Sequence, residues 1–411
     1  VPKPLDCHGG HHLPRLKSNS IETIFTFDHS MNKELLRKIF ALSLLILISG
    51  NGFSQMKLIR KMLSNEVDTT RKSSFLPLPA IGYAQETGVE IGGAGMYSFY
   101  TDKKDSLIRT SRITGMITFT TKKQSNFALK SDIWTPGNKY HITSEIRYRN
   151  FPFNFYGIGN STMEVNEDPI TQKLFKINAG IEQLYAKNLY LGLSAAYEYN
   201  RFEDKIIGGI YGTDPNIIDR DGGKAFFLGI THVLDNRNTN TYTTKGSFLR
   251  FNYSYAPDLF GTDDFNGGLL KLDLRHFESL SKKTTLGLNA HFQTISGNNT
   301  PFYLLPQLGN DEMMRAYYAG RFRDENLLAL QAEIRLRLNP RFGLVGFAGA
   351  GNVYTKNNLK LIQLKPSLGG GFRYFFDIER GLSVRIDYAI GEQKPGEKRQ
   401  HGLYLSLGEA F

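Results

Sequence analysis

Histidine, cysteine and the charged residues bound the chemistry this chain could do. Cys7, the sole cysteine, stands beside His8, His11 and His12. A zinc framework draws on ligands at set spacings, commonly with paired cysteines, and one thiol crowded among three imidazoles fits no common pattern. Other histidines, such as His141, His232, His276, His291 and His401, are dispersed. His276 alternates with leucines, which marks a strand end rather than a general base. No GxSxG, HExxH or Gly-rich phosphate loop occurs. The sequence therefore reads as no enzyme, with no metal and no cofactor.

Charge is instead laid out in alternating rows. Lys271, Asp273 and Arg275 interleave with Leu270, Leu272 and Leu274; Glu333, Arg335 and Arg337 interleave with Ala332, Ile334, Leu336 and Leu338; Arg385 and Asp387 interleave with Val384, Ile386 and Tyr388. Fifty basic and 39 acidic residues leave a formal charge of +11. No Lys/Arg block forms a nucleic-acid stripe, so nucleic acid is not expected as a partner, and the excess fits a cation-rich lumen and rim.

Rows of this kind need strands to hold them. Period-2 segments follow one another from about residue 77 to the end, as in Ile142, Ile146 and Tyr148 against Thr143, Glu145, Arg147 and Arg149. One apolar and one charged face also describes a soluble antiparallel sheet. Repetition along the whole chain, without helical stretches to cover a sheet, favours a membrane barrel. Mean hydropathy is −0.32 while Gly, Phe and Tyr are abundant, as in barrels where every second residue meets lipid. The last segment, GLYLSLGEAF, places Leu403, Leu405, Leu407 and Phe411 on one face and ends on the aromatic, like a closing barrel strand; Glu409 interrupts it. Fifteen strands are evident between residues 88 and 411. An odd number would start a secreted chain on the outside, so a sixteenth is expected at 77–85 despite its prolines. The expected fold class is all-β: a transmembrane antiparallel β-barrel of about 16 strands, with a lumen wide enough for water or an inserted loop. The connections at 281–282, 339–340 and 377–380 are short and expected on the periplasmic side. Those at 151–172, 203–222, 296–324 and 391–399 are long and expected outside. Trp134, the single tryptophan, ends a strand at the expected periplasmic rim and reads as an interfacial girdle residue.

The N-terminal part has its own expectations. Residues 1–30 precede a plausible initiator Met31 and read as an upstream extension. Residues 31–55 read as a secretory signal, with Lys33, Arg37 and Lys38 ahead of the apolar run 39–48, too short to span a membrane as a helix. Residues 56–76 read as a short periplasmic tail and 77–411 as the barrel.

Several segments carry a family resemblance. Asp311 to Asn326 reads DEMMRAYYAGRFRDEN, and FYGIGN at 155–160, Tyr83 with Glu86–Gly88, Asp235 and Arg237 before Lys245–Gly246, and the final GEAF accompany it. Over about residues 77–411 the chain resembles the barrel half of the bacterial surface antigen family, the outer-membrane assembly factors of BamA/TamA type, especially their Bacteroidetes members. The resemblance implies an inward-folding loop whose signature tetrad here is Met314, Arg315, Ala316 and Tyr317, with Ala where the family carries Gly. A guanidinium inside a barrel needs a carboxylate. Glu333 and Asp387 are the candidates for Arg315. The resemblance further implies a bacterial outer-membrane location, lipid as surroundings, and a role in insertion or translocation of other outer-membrane proteins. Residues 56–76 are too short for the family's periplasmic POTRA domains, so a separate periplasmic partner is an expected possibility. The competing reading is a channel or transport barrel without insertase activity, whose inward Lys271, Arg275, Arg335, Arg337 and Arg385 favour anions.

Overall fold

A computed structural model describes residues 70–84, 88–204, 206, 208–259, 265–356 and 358–411. The expected extension and signal, and the tail as far as residue 69, lie outside the described residues, as do Cys7 and its neighbouring histidines. The strands are β1 (Ser74–Ala84), β2 (Gly88–Phe99), β3 (Ser111–Thr120), β4 (Ser125–Trp134), β5 (Tyr140–Phe155), β6 (Asp168–Ala186), β7 (Leu189–Asp204), β8 (Gly222–Asp235) and β9 (Gly246–Ala256). They continue as β10 (Asn266–Ser279), β11 (Thr284–Asn298), the short β12 (Gln307–Leu308) and β13 (Phe322–Arg323), β14 (Asn326–Arg337), β15 (Phe342–Tyr354), β16 (Lys365–Asp377), β17 (Leu382–Ile390) and β18 (His401–Leu407).

Sixteen of these form one antiparallel sheet in sequence order, and β12 pairs with β13 in a separate ribbon inside the β11–β14 connection. The sixteenth strand is β1, which begins at Ser74, three residues before the expected boundary. Its Pro77 and Pro79 pair across to Gly95 and Gly93 of β2. Proline cannot donate to a second neighbour, which suits a strand with a ladder on one side only. No ladder joins β1 to β18 among the described residues. The two margins of the sheet are nevertheless tied at one rim: Arg380, between β16 and β17, donates to the Lys72 carbonyl ahead of β1 and lies 4.7 Å over the Tyr100 ring after β2.

Alternation sorts the faces. Along β14, Leu330 and Ile334 are exposed while Gln331, Glu333 and Arg335 are buried. Along β17, Ile386 and Tyr388 are exposed and Arg385 and Asp387 buried. The apolar side is the outer one, reaching 73% exposure at Leu403, an arrangement stable only where that surface meets lipid. Among the described residues no helix is long and apolar enough to cross a membrane.

Short turns set the register. Asn188, at φ +63°, occupies the left-handed position of the β6–β7 turn. Asn339 caps the β14–β15 turn by accepting the N–H groups of Arg341 and Phe342 at 2.8 and 2.9 Å. Ser281 does the same for Lys283 and Thr284 between β10 and β11.

Candidate functional site

The segment between β11 and β14 enters the interior of the sheet. Its apolar residues Leu308, Met314, Tyr317 and Phe322 pack with Leu327, Val345, Phe347 and Val353 from β14 and β15. Glycines make the room. A Cβ on Gly349 would lie 3.2 Å from the Met314 sulfur, and one on Gly351 only 2.9 Å from Leu308. The tip is held by polar contacts on every side. Met314 N–H donates to Gln331 at 2.9 Å, Ala316 N–H to the Tyr404 hydroxyl at 2.9 Å, and the Tyr317 hydroxyl to the Pro366 carbonyl at 2.6 Å. Burial pushes the Tyr317 phenol up, which keeps it a neutral donor.

Arg315 lies at the centre and is fully buried. One terminal nitrogen donates to Asp387 at 2.6 Å and the other to Glu333 at 2.5 Å, and the guanidinium lies 3.4 Å over the Phe347 ring. Each carboxylate is shared. Glu333 also binds Arg335 at 2.9 Å. Asp387 also binds Arg373 at 2.5 Å and Arg385 at 3.0 Å. Arg373 continues to Glu409 at 2.8 Å, and Arg385 to Asp311 at 2.9 Å. Four guanidiniums thus face four carboxylates, and the balance answers the desolvation penalty that buried charges incur. Gly371 leaves space for this network, since a Cβ there would strike the Asp387 carboxylate.

Two expected positions differ. Phe411 does not share the outward face of Leu403 and Leu405. Strand β18 ends at Leu407, Gly408 turns at φ +82°, and Glu409 is drawn inward by Arg373 and Ser383. Phe411 then packs inside, 6.1 Å from Phe277, and its backbone oxygen accepts from Arg335 at 2.8 Å. Trp134 is likewise no girdle residue. It shares the inward parity of Lys130 and Asp132, is buried, and stacks 3.9 Å from the His141 ring. His141 in turn sits between Glu182 at 2.8 Å and Asp132 at 3.0 Å, and these acids bind Arg250 and Arg112. In the sequence His141 is one of several scattered histidines, with no local mark of these partners. Among the described residues no metal-holding group of three occurs.

The long loops close over the plugged side. The Thr162 hydroxyl donates to the Arg321 carbonyl at 3.0 Å, and Gly159 N–H to the Arg323 carbonyl at 2.7 Å. Glu397 accepts from Arg321 at 2.5 Å and from Glu164 N–H at 2.7 Å. Burial raises the Glu397 carboxyl, but these two donors outweigh it and hold the group below the usual carboxylate range. Arg323 lies among Phe153, Phe155 and Phe302 at 5.1 to 5.6 Å, and burial lowers its pKa to about 10.

The opposite opening is crossed by the β8–β9 connection, residues 236–245. Asn240 donates to the Thr110 carbonyl ahead of β3 at 3.0 Å. Thr241 donates to the Arg380 carbonyl between β16 and β17. The Tyr242 ring meets Phe375 of β16 edge-on at 5.0 Å, and Arg337 lies 5.1 Å over that ring. A connection from the middle of the strand order therefore reaches both of its ends. The three short turns expected on this side are present, and no local pattern in residues 236–245 marks this longer connection as the one that spans the mouth.

A sixteen-stranded antiparallel sheet with its margins tied at one rim, apolar outside and filled inside by its own loop, defines a large outer-membrane-type β-barrel. Residues 107–411 match the model of the Omp85 superfamily domain, and the chain belongs to that superfamily. Barrels of this superfamily are non-enzymatic assembly and transport proteins of the outer membrane, in Gram-negative bacteria or organelles. Similar solved structures include BamA from Haemophilus ducreyi lacking POTRA domains 1–3, at 12% identity and a TM-score of 0.51, covering 82% of this chain and 70% of that one. CdiB from Acinetobacter baumannii (11% identity, TM-score 0.50) and CdiB from Escherichia coli (10%, 0.50) are covered over 59% and 62% of their lengths, each over 82% of this chain. At these identities the likeness is one of fold. No curated protein matches.

Proposed function

We propose that this protein is a bacterial outer-membrane assembly factor of the BamA/TamA type, which promotes insertion or translocation of other outer-membrane proteins. It would work through the edges of its sheet rather than its lumen. One observation carries the reading: the interior is plugged by the Arg315 loop and crossed at the other end by residues 236–245, while β1 and β18 share no ladder among the described residues. Unpaired strand edges are templates for an incoming strand. The partners of this reading are membrane lipid, client barrels and a separate periplasmic protein.

The channel reading keeps less support. Its inward cations are largely neutralised, as Arg275 is by Asp273 and Lys176 by Glu198. Depletion of the protein in its host, with quantification of the outer-membrane proteome, tests the proposal. Loss of other barrels with periplasmic precursors is the expected result; an unchanged inventory removes it. Planar-bilayer recording of the intact protein is expected to give a closed barrel, and a steady anion-selective conductance favours the channel.

A further inference from the structure

The two rims of the sheet carry different charge. On the long-loop side exposed acids such as Glu167, Glu203 and Asp258 mix with exposed Lys123, Lys356 and Lys398. On the short-turn side the exposed charges are mostly lysines. Lys103 and Lys104 lie between β2 and β3, Lys139 between β4 and β5, and Lys187 between β6 and β7. Lys245 precedes β9, and Lys282 and Lys283 join β10 to β11. Glu278, near the end of β10, is the exposed acid of this arc. Ion-paired lysines lie elsewhere, at Lys173, Lys176 and Lys365.

A second pattern accompanies the charge. Leu107, in the same connection as Lys103 and Lys104, is 82% exposed; Tyr185, two residues before Lys187, is 56% exposed; Leu280, before Lys282, is 57% exposed. The Lys139 ammonium lies 5.4 Å from the Tyr140 ring centroid. Apolar or aromatic groups at the hydrocarbon edge, with lysines reaching past them, form the usual anchor at a headgroup layer. The turns follow one another around the sheet from β2 to β11. A protein partner docks on one patch, whereas a leaflet meets the whole arc.

We propose that this arc binds the phosphate headgroups of anionic phospholipids in the leaflet on the short-turn side. A basic residue close to an anionic surface favours it by about fivefold, an effect confined to roughly a Debye length. The test places the full chain in phosphatidylcholine nanodiscs doped with spin-labelled phosphatidylglycerol or spin-labelled phosphatidylcholine, and reads the motionally restricted fraction of each. A preference for phosphatidylglycerol of about threefold or more is expected at low salt. It should fall toward unity in the K103Q/K104Q/K282Q/K283Q variant and persist in the long-loop control K356Q/K360Q. Heat-modifiable gel migration confirms that both variants are folded. No preference in the parent, a preference that survives the fourfold variant, or one lost equally in the control overturns the proposal; the first result would point to an acidic protein as the partner of these lysines.

Discussion

Arg335 donates to the backbone oxygen of Phe411 at 2.8 Å. The same guanidinium holds Glu333 at 2.9 Å, and Glu333 receives Arg315. The segment after the last strand and the tip of the inward loop therefore share one carboxylate and its two arginines. Whatever displaces one is felt by the other.

Arg315→Ala leaves Glu333 and Asp387 short of a partner in a water-excluded site. Breaking a buried pair on one side costs about 3–5 kcal/mol. The expected result is a barrel that melts earlier and a loop that limited proteolysis cuts between residues 299 and 325. Arg315→Lys should recover only part, because an ammonium cannot span both carboxylates as the fork does. Unchanged melting and unchanged protease resistance in Arg315→Ala would remove the idea that this residue pins the loop.

Ala316 sits at φ +106°, a region that L residues avoid at a cost of about 1–3 kcal/mol. Ala316→Gly should relieve part of that cost while keeping the N–H bond to Tyr404. Slower hydrogen exchange at the tip is the expected signature. Faster exchange would mean that the methyl's packing outweighs the backbone strain.

Glu397 has a depressed carboxyl, so its contribution is present above the ordinary Glu value of 4.5 and is lost as the pH falls through the lower folded value. Below that window its bonds to Arg321 and Glu164 weaken. Acid pulses at decreasing pH, followed by proteolysis, should open the long loops around residues 160 and 395 before the sheet unfolds. Glu397→Gln should remove this dependence; a parent and variant with the same pH profile would contradict it.

Trp134 is the single tryptophan, so its fluorescence reports one place. Buried inside against His141 and Tyr190, it should be insensitive to brominated lipid. Strong quenching by lipid bromine would put the indole back in the girdle.

The faces of this sheet were legible because alternation is a local property. Ile334 and Glu333 announce opposite sides without reference to anything else in the chain; the sixteenth strand near Pro77 followed instead from the even count that a secreted barrel requires. The acid partners of Arg315 were readable as inward residues of β14 and β17. Arg335 and Arg385 stand two residues from Glu333 and Asp387 on the same inward faces and were equally readable; Arg373 was not, because it meets Asp387 only once β16 and β17 are in register. The side of Phe411 is not legible from alternation, because Gly408 at positive φ ends the strand period before it. For Trp134 residue type and position conflict: tryptophan favours the interface, but its parity with Asp132 turns it inward. The reach of residues 236–245 has no local signature, since Thr241 and Tyr242 find their partners more than 130 residues away.

That reach has a geometric consequence. Thr241 is fastened to Arg380, and Arg380 to the carbonyl of Lys72, so a single tie-rod runs from the middle of the wall to the line where its two margins face each other. A ring braced across its diameter has a fixed circumference. Enlarging it by even one hairpin would draw the brace off its seat, so the count of strands in the wall and the occupancy of its inner mouth are one variable.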